Sequence, residues 1–260
     1  MNALRRVGSI MAACTLMAVV TQPLHGQRRR QSFNQDVQQF NVPYDGTLTF
    51  LRLRYAPLSV WGRRGGGGEP QWAHDWPRAE RHVATMIEEL TTIEPNLEGS
   101  VIYDADDPEI FKFPVVYVSE PGYWSLTEDE ESNLRDYVLK GGFLIFDDFA
   151  GPDWYNFEEK ITTLLPGVYP VKLDATHAIF HSFFDIDTLD GFVHPLQWIP
   201  SEFYGLFEDN DPSSRMYGIV NYNNDIGEAW EWSDAGWIPI DITNEAYKLG
   251  INYFVYAMTH

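Results

Sequence analysis

Two adjacent carboxylates follow an uninterrupted apolar run near the middle of the chain. Phe143 to Phe146 has the composition of a strand that is buried on both faces, and Asp147 and Asp148 come directly after it. Carboxylates in this position can bind a metal, raise each other's proton affinity or cap neighbouring loop amides. Because successive side chains of a strand point in opposite directions, we expect only one aspartate to face a given pocket.

Two histidines four residues apart form a second candidate group. His177 and His181 stand in the segment His-Ala-Ile-Phe-His, and on a helix this spacing brings both rings to one face, where they could share a metal. The candidate metal ligands are therefore Asp148, His177 and His181, and the candidate catalytic residues are these three with Asp147. The alternative is a buried histidine that only makes hydrogen bonds, since no glutamate follows the first histidine as in zinc peptidases.

A second strand end carries further candidates for ligand binding. Ser119-Glu120-Pro121-Gly122 follows the apolar run from Pro114 to Val118. Neighbouring parallel strands end together, about 4.8 Å apart, and ligands of open α/β sheets bind beyond their carboxyl ends. We therefore expect Glu120 and Gly122 to share one cleft with Asp147 and Asp148, within reach of one of the two histidines.

The last third of the chain combines aromatic residues with acids and amides. Aromatic faces beside carboxylates suit the recognition of sugars, which makes Trp230 and Asp225 candidate ligand-binding residues. The alternative is that these aromatic side chains pack in the core and in loops. The oxygen-rich segment from Asn221 to Asp225 lacks the regular spacing of a calcium loop.

The elements that must position these residues alternate between strand and helix. Leu51 to Tyr55 and Tyr217 to Val220 are predicted strands, and Asp75 or Trp76 is expected to cap a helix with Pro77 in its first turn. Three further helices follow from apolar spacing and end signals, over residues 128–140, 157–165 and 244–258. Thr127 and Glu130 form a capping box on the first of these. The alternation predicts a three-layer α/β fold, a mainly parallel sheet with helices on both faces.

The ends of the chain and its charge restrict the cellular context. Arg5 and Arg6 precede the apolar run from Val7 to Val20, which is typical of a secretory signal peptide over residues 1–26. Residues 27–46 are predicted to be a flexible segment and residues 47–260 a single α/β domain. The formal charge of −20 disfavours nucleic acid as a partner, and no segment after the signal could span a bilayer.

The sequence offers no cysteine or serine nucleophile of the common kinds. Cys14, the single cysteine, lies inside the predicted signal, so an exported chain would have neither a disulfide nor a cysteine nucleophile. No serine stands in a Gly-x-Ser-x-Gly elbow, which disfavours a conventional serine hydrolase.

Several segments together resemble a known bacterial family, the domain of unknown function 4159 family. The resemblance extends from about Thr47 to His260 and is carried by Trp76-Pro77-Arg78-Ala79-Glu80, Phe113 to Gly122, Gly141 to Phe149, His177 to His181, Asn223 to Gly227 and Gly250 to Ala257. It implies a class I glutamine amidotransferase-like, flavodoxin-like fold. In that case the two aspartates after residue 146 stand where amidotransferases place their nucleophilic cysteine, so the usual glutamine hydrolysis is not expected here.

Three functional hypotheses follow. The first is an exported, periplasmic or secreted module that binds a small molecule or glycan in the strand-end cleft. The second is a hydrolase, with or without a divalent metal, that uses Asp147 or Asp148 with His177 or His181. The third is an accessory protein that docks on an envelope complex. No cofactor is evident from the residues.

Overall fold

The computed structural model describes residues 40–58 and 70–260. The predicted signal peptide at residues 1–26, Cys14 and most of the predicted flexible segment lie outside the described residues. Residues 40–46 of that segment contact the domain. Asn41 hydrogen-bonds both backbone groups of Ile102 through its side chain, at 2.8 and 3.0 Å, and Val42 N–H donates to the Ser100 carbonyl. These bonds join the described end of that segment to β3 and the residue before it.

The chain forms one seven-stranded sheet, a two-stranded ribbon and five α-helices among the described residues. The strands are β1 (Leu51–Arg54), β2 (Ala56–Pro57), β3 (Val101–Asp104), β4 (Val115–Ser119), β5 (Trp124–Ser125), β6 (Phe143–Phe149), β7 (Val171–Lys172), β8 (Glu202–Phe207) and β9 (Met216–Tyr222). The helices are α1 (Arg78–Leu90), α2 (Glu128–Leu139), α3 (Trp154–Leu164), α4 (Ile226–Glu231) and α5 (Ile240–Thr259). The large sheet has the order β3-β1-β4-β6-β9-β8-β7, and β2 pairs with β5.

The centre of the sheet is parallel and its far edge is antiparallel. Strands β3, β1, β4, β6 and β9 run in the same direction, whereas β8 runs against β9 and β7 against β8. The predicted neighbours β4 and β6 are paired in parallel from Val115–Phe143 to Ser119–Asp147. Helix α2 joins them and begins with the predicted capping box, in which Thr127 and Glu130 exchange side-chain and backbone bonds.

Helices cover both faces of the sheet, which makes the predicted three-layer α/β architecture. Val116 and Leu144 contribute to one core, with apolar side chains of α2 and α3. Their neighbours Val115 and Phe143 contribute to the other core, with side chains of α1, α4 and α5. Because adjacent strand residues face opposite sides, continuously apolar strands fill both cores. No helix in the described part of the chain is long and apolar enough to cross a membrane.

Two local predictions need correction. Neither Asp75 nor Trp76 caps α1: Pro77 occupies the N-cap position, no side chain caps the helix, and Asp75 adopts a left-handed backbone with φ 67°. The closing helix begins at Ile240 rather than at Asn244, because residues 240–243 are helical as well. Pro239 occupies its N-cap position.

Candidate functional site

The carboxyl ends of the parallel strands meet at one edge of the sheet and border an open cleft of about 820 Å³. The loops after β4, β6 and β9 line it, as expected for ends of adjacent parallel strands. The loop before β8 joins them because β8 is antiparallel, so its first residue lies beside the last residue of β9. Glu120, Gly122, Asp148 and His194 all line this cleft.

Asp148 lies at the centre of the site. Its carboxylate Oδ2 is 3.0 Å from His74 Nδ1 and accepts a long bond, 3.4 Å, from the Ser119 hydroxyl. The register between β6 and β9 shifts between Phe146 and Phe149, and Asp148 has a φ of 61°. This bulge turns the side chain to the cleft, where 11% of it is exposed. Burial, and then the charges of Asp75 and Glu120, raise the pKa of Asp148 well above its ordinary value.

Glu120 faces Asp148 across His74. Its Oε1 is 3.4 Å from His74 Nδ1, and 16% of its side chain is exposed. The backbone of Glu120 is held in a left-handed conformation, φ 46°, by the Tyr55 hydroxyl on its carbonyl and by its own N–H on the Asp147 carbonyl. Burial raises the pKa of Glu120 to about 7, against the opposing effect of His74.

Asp147 points away from the cleft and is fully buried. Its carboxylate accepts hydrogen bonds from the Tyr117 hydroxyl at 2.7 Å, the Gly227 N–H at 3.0 Å and the Asn221 side-chain amide at 3.1 Å. Burial raises the pKa of Asp147, and these three donors oppose that rise. With its oxygens occupied in this way, Asp147 joins β4, β9 and the start of α4 beneath the site.

Asp225 and His194 lie on a second side of Asp148. Ligand atoms of these three residues are within 4.8 Å of one another. Asp225 Oδ1 also accepts from the Glu228 N–H, and so caps α4. Burial, followed by the charges of Asp148 and Asp147, raises the pKa of Asp225 well above its ordinary value, whereas burial lowers the pKa of His194.

A buried arginine supports the site from below. Arg52 is fully buried, pairs with Glu80 at 2.5 Å and donates to the carbonyls of Trp72 and His74 at 3.1 and 2.7 Å. Its guanidinium also lies 4.9 Å from the centre of the Tyr117 ring. The bond to the carbonyl of residue 74 connects the sheet to the loop that carries the histidine.

Left-handed backbone conformations are concentrated at this edge. Asp75, Glu120, Asp148 and Asn223 have φ angles of 67°, 46°, 61° and 56°. Such conformations cost about 1–3 kcal/mol each outside glycine and persist where the surrounding structure imposes them. Their concentration beside one cleft is typical of a functional site.

The histidines predicted from the sequence are elsewhere. His177 packs on Tyr256, which packs on Phe143 at the first residue of β6, about 16 Å of strand from Asp148. His181 contacts Asp185 and the Ala175 carbonyl at the surface. The segment forms a 3-10 turn that begins after His177, which caps it, so the spacing of an α-helix does not apply. The structure therefore brings neither histidine to the aspartates, and Asp148, His177 and His181 do not form one metal site.

Two further candidates have structural roles. Trp230 is fully buried, donates to the Ala246 carbonyl and packs against Gly250, so it belongs to the core and not to a ligand site. Gly122 does line the cleft, and a Cβ at this position would overlap the side chain of Asp153.

His74 and His194 are site residues that no pattern in the sequence predicted. Neither belongs to a motif with regular spacing, because each lies in a long loop and approaches Asp148 only through the topology of the sheet. The available signal was the placement of the loops: the loop after β1 must reach the same edge as the loops after β4 and β6. A histidine in that loop was therefore a candidate.

Among residues 40–58 and 70–260, three groups of side chains have the donor atoms that metals use. They are His74 with Glu120 and Asp148, Asp148 with His194 and Asp225, and Asp75 with Glu228 and Glu231, each with ligand atoms within 4.8 Å of one another. The first two groups share Asp148. Imidazole and carboxylate donors together suit first-row divalent cations.

Comparison with known proteins is informative at the level of the family. The profile of the family described as a domain of unknown function (DUF4159) matches residues 49–258. No curated protein matches the chain. The match spans the whole described sheet and every residue of the site, including His74, Glu120, Asp148, His194 and Asp225. This chain belongs to the DUF4159 family.

Proposed function

We propose that the protein binds a carbohydrate or a similar polyhydroxylated small molecule in the strand-end cleft. The observation that carries this proposal is the composition of the cleft wall. The described residues that line it include carboxylates, amides, one histidine and three tyrosines but no lysine or arginine. Such a wall repels phosphates and other anions, and offers acceptors and donors for hydroxyl groups.

The size and the aromatic residues of the cleft support the same ligand class. Its volume of about 820 Å³ is within the range of about 300–1,000 Å³ typical of small-molecule sites. Tyr155 lines it with 76% of its surface exposed. Trp198, 61% exposed and with φ 58°, does not line the cleft itself but stands in the chain between two lining residues, Gln197 and Ile199. Exposed rings beside hydrogen-bonding groups can stack on the apolar face of a sugar.

A carbohydrate screen with matched variants tests the proposal. Soluble oligosaccharides of the cell envelope are screened by thermal shift, and hits are titrated by calorimetry. We expect Tyr155→Ala to weaken binding at least tenfold, whereas Tyr169→Ala leaves it unchanged. Tyr169 is a suitable control because it is 59% exposed and follows the far end of α3, whose first turn contains Tyr155. Absence of any carbohydrate hit, or equal loss with both variants, would refute the proposal.

A hydrolase is the second candidate, and the position of His74 favours it. The His74 ring lies between the carboxylates of Glu120 and Asp148, at 3.4 and 3.0 Å, and faces solvent with 47% of its side chain exposed. A histidine paired with carboxylates is a common general acid–base arrangement. Release of reducing ends from the same oligosaccharides, lost in His74→Gln, would support hydrolysis.

We also propose that the chain is exported, with a signal peptide cleaved near Gly26 and a periplasmic or secreted mature protein. This rests on the basic start and the apolar run from Val7 to Val20. Mass spectrometry of the native N-terminus tests it, and a chain that retains residues 1–26 would contradict it. Docking on an envelope complex and an amidotransferase-like fold remain predictions from the sequence.

A further inference from the structure

Three donor atoms at the edge of the cleft are spaced like the ligands of one cation. His74 Nδ1 lies 3.0 Å from Asp148 Oδ2 and 3.4 Å from Glu120 Oε1. Ligand atoms about 2.1 Å from a shared ion lie about 3.0 Å apart in an octahedral shell and about 3.4 Å apart in a tetrahedral one. The three atoms therefore need little movement to hold an ion between them.

The surrounding charge also favours a cation. Ligand atoms of Asp148 lie within 4.8 Å of those of Glu120 on one side and of Asp225 on the other. Arg52, a buried cation nearby, is already paired with Glu80. Carboxylates that are removed from water need a positive partner, and a metal ion would provide one.

Asp75, the residue after His74, has a buried oxygen without a donor. It is 4% exposed, and its Oδ2 has no hydrogen-bond partner among the described residues. This oxygen faces the start of α4, where a Cβ at Gly227 would overlap it, and the ligand atoms of Asp75, Glu228 and Glu231 lie within 4.8 Å of one another. It therefore belongs to a separate group of donor atoms, next to the group formed by His74, Glu120 and Asp148.

We infer that His74 Nδ1, Glu120 Oε1 and Asp148 Oδ2 bind a first-row divalent cation such as Zn²⁺ or Mn²⁺. This site does not depend on whether the cleft binds a carbohydrate. Three protein ligands leave positions on the ion open, and the cleft lies on that side because Glu120 and Asp148 line it.

The neighbouring group of donor atoms, Asp148 with His194 and Asp225, is less suitable for binding the cation. Both ring nitrogens of His194 are engaged, Nδ1 with the Leu196 N–H and Nε2 with the Gln197 side chain. Asp225 Oδ1 accepts from the helix α4 backbone. By contrast, the partners of His74 Nδ1 among the described residues are the two carboxylates that would share the ion with it.

The backbone at two of the three ligands, His74 and Glu120, is held in place, as a metal site requires. Arg52 donates to the His74 carbonyl at 2.7 Å, and the Tyr55 hydroxyl donates to the Glu120 carbonyl at 2.8 Å. Hydrogen bonds of this kind orient the ligands. Removing one residue that hydrogen-bonds to a metal ligand typically lowers metal affinity by about 10- to 100-fold.

The test measures metal binding by untagged, chelator-treated protein. Calorimetric titration with Zn²⁺ and Mn²⁺, and the visible absorption spectrum of added Co²⁺, report affinity and geometry. We expect one equivalent to bind, and we expect His74→Gln and Glu120→Gln each to weaken binding at least tenfold without changing the far-ultraviolet circular dichroism. His181→Gln is the matched control, because His181 Nδ1 is also 3.1 Å from a carboxylate, that of Asp185.

Two results would overturn the assignment. One is the absence of binding of any of the three metals by the unmodified protein, which would mean that a proton alone joins the histidine and the carboxylates. The other is an equal loss of affinity in His181→Gln and His74→Gln, which would mean that any surface histidine–carboxylate pair accounts for the binding. Both readouts use metal alone, so they are independent of the carbohydrate screen.

Discussion

Arg52→Met is expected to destabilise the fold and the site together. The guanidinium of Arg52 is fully buried and donates to Glu80 and to the carbonyls of Trp72 and His74. Its removal leaves the Glu80 carboxylate, which is 2% exposed, without its cation. It also leaves the His74 loop without its anchor to the sheet.

The magnitude follows from the loss of one buried partner. Breaking a buried ion pair by removing one member costs about 3–5 kcal/mol, because the other charge remains desolvated. Replacing both members by apolar side chains is often close to neutral, so Arg52→Met/Glu80→Met should recover most of the loss. The double variant still lacks the donor to the His74 carbonyl, and we therefore expect its zinc affinity to stay at least tenfold low.

Urea unfolding at pH 7 with chelator measures the free energies, and zinc titration measures the site. Arg54→Met is the control: Arg54 is also buried on β1 but pairs with Asp104, at 2.7 and 2.8 Å, and makes no hydrogen bond to residues 70–77 of the described chain. It should lose stability and keep its zinc affinity. A loss below 1 kcal/mol for Arg52→Met, or a double variant as unstable as the single one, would refute this reasoning.

Three further predictions concern the cleft and the acids beneath it. Because the folded pKa of Glu120 is about 7 against an ordinary 4.5, the metal-free folded state binds a proton that the unfolded state has released. The free energy of unfolding of the metal-free protein should therefore fall as pH rises from about 4.5 to 7, by up to about 3 kcal/mol, and this fall should be smaller in Glu120→Gln. The same pH dependence of the free energy of unfolding in both proteins would contradict this prediction. Gly122→Ala should reduce both thermal stability and ligand affinity, since the new Cβ overlaps the Asp153 side chain; a variant with an unchanged midpoint would contradict the packing. Asp147→Asn should cost about 1–3 kcal/mol in urea unfolding by disturbing the bond from Tyr117 and the other two donors, with little change in zinc affinity; a selective loss of zinc binding would contradict its structural role.

The elements with strong local signals were predicted from the sequence. The apolar runs that form β4 and β6, and the capping box at Thr127 that begins α2, depend on adjacent residues alone. The meeting of Glu120 and Asp148 at one edge then follows from the pairing of these two strands. Where a signal is weaker the prediction fails, as at Asp75, whose backbone is set by the packing of its loop and not by a helix cap.

The histidines of the site could not be predicted in the same way. His177 and His181 form a recognisable pattern, but the pattern assumes an α-helix that the chain does not form there. His74 and His194 form no local pattern. His74 meets Asp148 because the loop after β1 leaves from the same edge of the sheet, and His194 does so because the antiparallel β8 begins at that edge. The spacing of residues along the sequence carries no information about such long-range contacts.

The class of fold, the central pair of strands and the edge where acidic side chains collect all follow from local patterns in the chain. These depend on the periodicity of side chains along one strand or helix, a property of neighbours in the chain. In contrast, the exposure of Asp148 to the cleft, the burial of Asp147 beneath it and the approach of His74 and His194 to the site depend on tertiary packing. Those outcomes depend on a bulge in β6 and on the order in which distant strands pair, and burial of apolar surface across the whole domain sets both.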